Sequence, residues 1–230
     1  MEPDLRGESL YLDVRSMRAI EGVILDAMTR TDAPPGHVAI GGISLGGTGA
    51  IAFTEFCAAG TCPKAVLPRA VFAVDAPLDM ERLWRAAVGR LRWDTTGIAS
   101  GEAQWVVDHL VRVMGGTLDD RPAAYAARSP FLYEDPKGGK AQFLLGTPVR
   151  LYAEPDMDFW LSHGMDYYQI NAFDAAGLAN RLRHLGQSDV ELILTSGRGV
   201  RPNGVRNPHS WSIVDEPELA RWLVARLEAQ

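Results

Sequence analysis

The chain has 230 residues, enough for one α/β domain with a sizeable core. A hydrophobic share of 47% beside 23% charged residues is that of a soluble globular protein, with no apolar run long enough to span a membrane. The net charge of −6 argues against a nucleic-acid or anionic-membrane partner. The N-terminus, Met1-Glu2-Pro3-Asp4, is acidic and lacks an apolar h-region, so no signal peptide is expected and the cytoplasm is the default compartment. Cys57 and Cys62 do not form a metal framework. Two reduced, largely buried thiols are expected, with a local disulfide only in an exported protein.

In chain order, Met17, Ile20, Ile24, Ala27 and Met28 recur at helical spacing and predict an amphipathic helix over 13–30, with Asp13 as its cap. Asp32-Ala33-Pro34-Pro35-Gly36 breaks it. The apolar run His37-Val38-Ala39-Ile40 predicts a strand, and a helix follows to about Ala59. The continuous apolar run 69–75 has the character of a buried parallel strand. From Ala76 to Leu144 no strand is evident. Helices are expected over 78–88, 102–114 and 122–127, with a loop at 91–97 between the first two. An insertion of this kind reads either as a helical cap over a site, at 76–144, or as a long crossover with extra packing helices. A strand at 148–153, a helix at 171–185, a strand at 190–195, a long loop at 196–212 and a helix at 217–227 complete the chain. Pro217 suits the first turn of that last helix. The alternation predicts a mostly parallel sheet of about four strands flanked by helices.

The richest stretch chemically is Gly41-Gly42-Ile43-Ser44-Leu45-Gly46-Gly47, which sits between a strand and a helix. Gly42-Ile43-Ser44-Leu45-Gly46 fits the G-x-S-x-G turn that holds a nucleophilic serine at the top of a sheet. The expectation is that a Cβ at Gly42 or Gly46 would clash with neighbouring backbone. The competing reading, a glycine-rich phosphate loop, lacks the following lysine. In a parallel sheet the site lies at the carboxyl ends of the strands. Ser44 follows the first strand, Glu154, Asp156 and Asp158 follow the third, and His209 lies after the fourth.

On these residues and their order (nucleophile, acid, histidine) the chain resembles the α/β-hydrolase family, from about Pro35 to the end, and within it the esterases and serine-peptidase-like members. The resemblance implies a serine hydrolase that cleaves a carboxylic ester, in preference to an amide or peptide, through an acyl-enzyme. It implies Ser44 as nucleophile, His209 as base and a carboxylate orienting the imidazole. The backbone N–H of Leu45 would supply half of the oxyanion hole. Asp156 fits the acid best, with Glu154 and Asp158 as alternatives. The three acids together could also suggest calcium, but EF-hand spacing and its glycine are missing. No metal or cofactor is expected. His37, His109, His163 and His184 read as core or surface histidines. Arg198, Arg201 and Arg206 share the loop with His209 and would favour an acidic substrate unless they are simply solvated. Trp84, Trp93, Trp105 and Trp160 are candidates to line an apolar pocket or to be plain core.

The family usually places several strands before the elbow strand, and a second oxyanion donor comes from that earlier half. Residues 1–35 hold one helix and no such loop. The elbow strand should therefore have an open edge, which is a pairing liability. Three readings follow: a true start upstream of Met1, an edge covered by a second copy or a partner chain, or a reduced relative that keeps the triad residues. The third leads to the alternative function, a catalytically silent or truncated hydrolase-like domain that binds a ligand or protein. Loss of one oxyanion donor alone can cost ~10²–10³ in rate.

Overall fold

The computed structural model describes residue 10, residues 12–93 and residues 100–228. Four strands, β1 (Ala39–Ile43), β2 (Ala70–Val74), β3 (Val149–Ala153) and β4 (Val190–Leu194), form one parallel sheet in the order β1-β2-β3-β4. Helices α1 (Val14–Thr31), α2 (Leu45–Phe56), α3 (Met80–Trp93), α4 (Ser100–Met114), α5 (Pro122–Arg128), α6 (Met157–Ser162), α7 (Asn171–His184) and α8 (Glu216–Glu228) flank and connect the strands. The α/β class read from the alternation is the class observed. In the expected 91–97 loop, residues 91–93 instead finish α3, and residues 94–97 lie outside the described residues.

Every residue of β2 and β3 is buried; β2 reads as an unbroken apolar run, and β3 is interrupted by Arg150, whose guanidinium pairs with Glu191 and Glu218. The two-residue period divides both strands between two cores. Val71, Ala73, Val149, Leu151 and Ala153 pack with Ile51 of α2 and Leu178 and Leu182 of α7. Ala70, Phe72, Val74 and Tyr152 pack on the opposite face with Leu219 and Trp222 of α8. A third cluster joins Met17 and Ile20 of α1, Phe53 of α2, Met80 of α3, Leu110 of α4 and Tyr125 of α5. Asp13 caps α1, its Oδ1 accepting the Ser16 N–H at 2.7 Å. No strand lies between β2 and β3 among the described residues, so α3, α4 and α5 form one helical insertion there.

The cysteines differ from expectation. After Phe56, α2 loosens into a π-turn (Cys57–Thr61) that contains Gly60 with φ of 82°. That turn brings the Cys57 and Cys62 Cα atoms to 4.9 Å, and the two residues are joined as a disulfide rather than left as thiols.

The sheet's edges are β1 and β4. Among the described residues no strand pairs with the outer side of β1. No helix among them is long and apolar enough to cross a membrane.

Candidate active site

β1 delivers Ser44 to the carboxyl end of the sheet, and α2 begins at the next residue. Ser44 has φ 55° and ψ −130°, a conformation L-residues rarely hold and one that costs on the order of 1–3 kcal/mol. Its main chain is pinned from both sides. The Ser44 N–H donates to Val74 O at 2.9 Å, and Ser44 O accepts from Thr48 N at 3.1 Å. Its hydroxyl makes no capping bond to the helix. The first N–H groups of α2, beginning with Leu45, have no acceptor within the helix and lie at its positive end.

The glycines around the serine are needed for close approach, though not all those expected. A Cβ on Gly42 would lie 2.7 Å from the Gly46 carbonyl carbon, and one on Gly41 would enter the Phe72 ring at 2.2 Å. A Cβ on Gly46 would meet nothing within 4 Å, so its predicted clash does not occur. The second tight position is Gly47, whose Cβ would lie 2.8 Å from Gly42 O and 2.9 Å from the Ala76 Cβ. The reason is orientation: Gly46 points outward from the first turn of α2, while Gly47 faces the β1–β2 layer.

His209 lies in the loop between β4 and α8. Its Nδ1 is 2.5 Å from Asp75 Oδ2, and its backbone N–H donates to Asn207 Oδ1 at 2.8 Å. The carboxylate that meets the imidazole is therefore Asp75 at the end of β2, and not Asp156, the one expected there. Asp75 is 6% exposed at its side chain. Its N–H donates to Tyr152 O at 2.8 Å, and its carbonyl accepts from Asn171 Nδ2 at 2.9 Å. Burial of the His209 ring disfavours its charged form. The hydrogen bond and charge of Asp75, helped by Glu102, outweigh that, while Arg201 opposes them, and the net effect raises the pKa above the ordinary value.

The three predicted acids after β3 have other partners. Asp156 caps α6, accepting the Phe159 N–H at 3.1 Å, and its other oxygen pairs with Arg206. The cap bond and then Arg206 hold its carboxyl below the usual range. Glu154 is buried and accepts from Thr195 Oγ1 at 2.8 Å, Arg198 N at 3.0 Å, Gly199 N at 3.2 Å and the Arg206 guanidinium. Burial alone would raise its pKa, and these donors bring it below normal. Asp158 is exposed in the first turn of α6. Asp156 and Glu154 are taken by Arg206, a permanent cation, and so are not available to the imidazole. Among the described residues no group of three or more His, Cys, Asp or Glu side chains is arranged to hold a metal ion.

Ser44, Leu45, Asp75 and His209 line one cleft of about 620 Å³. Its walls come from the helical insertion (Trp105, Val106, Leu110) and from the segment after β3 (Phe159, Trp160, Met165). Four described non-glycine residues have positive φ, and three of them, Leu10, Ser44 and Asp75, line this cleft. Strain thus concentrates at the site. Trp105 and Trp160 are wall residues, Trp84 is packed edge-on against Tyr125, and Trp93 is exposed. His109 is buried in the wall, stacked on Trp105 and bonded to Arg112 at 2.6 Å, and His163 stacks on Phe159. His37 and His184 are exposed.

Asp75 is the residue that sequence reasoning missed. Its signal was present: it is the single charge closing the all-apolar run Ala70-Val71-Phe72-Ala73-Val74. A carboxylate there falls at the carboxyl edge of a buried parallel strand, where ligands bind. Neither a protein-family model nor a curated protein sequence matches this chain. The functional reading therefore rests on the geometry of these residues.

Proposed function

We propose that the chain is an α/β-hydrolase-fold serine hydrolase that cleaves a carboxylic ester, in preference to an amide or peptide, through an acyl-enzyme on Ser44. The observation that carries this reading is the His209 Nδ1–Asp75 contact of 2.5 Å in the wall of the cleft that also holds a strained Ser44. The acid in this reading is Asp75, in place of Asp156.

The chemistry follows from the roles of these groups. The Ser44 Oγ attacks the ester carbonyl carbon, and its proton passes to His209 Nε2. Asp75 accepts the Nδ1–H bond, which leaves Nε2 as the base and stabilises the imidazolium that forms. The carbonyl oxygen becomes an oxyanion facing the Leu45 N–H at the start of α2. Collapse breaks the bond to the alkoxy group, which leaves as an alcohol with the proton from Nε2. Water, deprotonated by His209, then attacks the acyl-serine. The acid departs, Ser44 recovers its proton, and no redox step is involved.

A fluorophosphonate probe tests the reading, because its reaction requires an activated serine and oxyanion support together. Labelling is expected at Ser44, located by mass spectrometry, and is expected to be lost in His209→Ala and strongly slowed in Asp75→Asn. An unlabelled wild-type chain that melts cooperatively would overturn the proposal in favour of a silent binding domain.

A further inference from the structure

The cleft is lined by three arginines, and they differ in what neutralises them. Arg90 pairs with Glu102 at 3.4 Å. Arg206 is held between Glu154 and Asp156. Arg201 makes no ion pair or side-chain hydrogen bond among the described residues, although it lines the cleft and is exposed there. The third arginine of its loop, Arg198, pairs with Asp215 at 3.7 Å.

The backbone that carries Arg201 is fixed. Val200 and Arg206 form an antiparallel bridge, the Arg201 N–H donates to Val205 O at 2.9 Å, and Arg201 O accepts from Gly204 N at 2.8 Å. Arg201 is also close enough to His209 for its charge to act against protonation of the imidazole. An uncompensated guanidinium thus stands on a closed turn beside the base, in a cleft whose walls also carry the apolar side chains of Trp105, Val106, Leu110, Phe159 and Trp160.

We infer that Arg201 is an anion-binding subsite and that the substrate is an ester carrying a carboxylate a few bonds from the carbonyl attacked by Ser44. The inference rests on the hydrolase reading and adds its substrate class. A guanidinium presents two parallel N–H groups that match the two oxygens of a carboxylate. A single negative charge suits the site better than a dianion. Of the three arginines that line the cleft only Arg201 is uncommitted, and Glu102 and Asp75 would repel a second charge. Arg90 and Arg206 are already paired and do not compete for the ligand.

The test uses the full chain and two matched pairs of esters. The first is para-nitrophenyl valerate against mono-para-nitrophenyl glutarate, which replaces a terminal methyl by a carboxylate on the acyl side. The second is phenyl butyrate against meta-carboxyphenyl butyrate, which places the acid on the leaving group. The quantity read is the ratio of kcat/KM, acidic over neutral. That ratio cancels any general effect of the lost charge on His209. We expect the acidic member to be preferred in at least one pair, and Arg201→Gln to lower that ratio by about tenfold. Arg201→Lys should restore part of it, and added salt should weaken it. Turnover without an acidic preference in either pair, or a preference that survives Arg201→Gln, overturns the inference and leaves the hydrolase reading intact. No turnover of any of the four esters by the wild type sinks both.

Discussion

At the end of β2, Asp75 leaves the strand with a φ of 43° and presents its carboxylate to His209. At the end of β3, Glu154 and Asp156 share Arg206, and Glu154 also gathers donors from Thr195, Arg198 and Gly199. Both strand ends put acids on the cleft side of the sheet, and they differ in the partner each receives. A guanidinium is always charged and takes any carboxylate it can reach. An imidazole competes poorly with it, and His209 meets Asp75, which is in salt-bridge contact with no arginine among the described residues. The end of β3 then acts one step removed, by holding in place the loop that carries His209.

The largest expected effect separates the two ends directly. If Asp75 orients the base, Asp75→Asn lowers kcat for a simple ester by ~10⁴, the size seen when the imidazole loses its correct tautomer. Asp156→Asn should retain most of the activity, and Asp158→Asn all of it. Steady-state kinetics on the three variants decides the assignment, and a collapse with Asp156→Asn but not with Asp75→Asn reverses it.

Glu154→Ala sharpens the contrast from the other side. It strips a buried acceptor from four donors at once, Arg206 among them, and should cost about 2–3 kcal/mol in chemical denaturation. Activity should fall with it because His209 shares that loop. A variant as stable as wild type would mean that Glu154 does not anchor the loop.

The smallest effect lies in pH dependence. The Asp75 contact raises the His209 pKa, so the acid limb of kcat/KM should be centred above the ordinary histidine value of about 6.5. Asp75→Asn should move that limb to lower pH in whatever activity remains. The stability sign follows from the same shift. The pair's contribution is complete below the unfolded-state value of about 6.5 and is lost as pH rises through the raised folded value. Thermal melts should therefore show Asp75→Asn destabilising more below about pH 6.5 than well above it.

Much of this was legible in the sequence. β2 announced itself as a short apolar run and β3 and β4 as apolar runs each broken by one charge, the serine turn as glycines between a strand and a helix, and Asp13 as a cap three residues before Ser16. His209 was legible from its place between the last strand and the last helix. The carboxylate that meets His209 was not, because three carboxylates crowd the end of β3 and the choice among strand ends depends on where Arg206 lies in space. Spacing to Arg206 carries no such information, since it is 52 residues from Glu154. The tight role of Gly47 in place of Gly46 turned on which way α2 leaves the serine. The disulfide depended on a π-turn that local propensity does not foretell.

Ser44 and Asp75 each follow the last residue of a strand, and those residues, Ile43 and Val74, face each other in register. Two members of the proposed triad are therefore set side by side by the pairing of neighbouring strands, across a short crossover. The third arrives from 134 residues away on a loop fastened at Glu154. Placing His209 therefore carries the largest loop-closure cost of the three. A single proteolytic cut within residues 201–205 would leave His209 anchored on its N-terminal side through Arg206 and Asn207 alone.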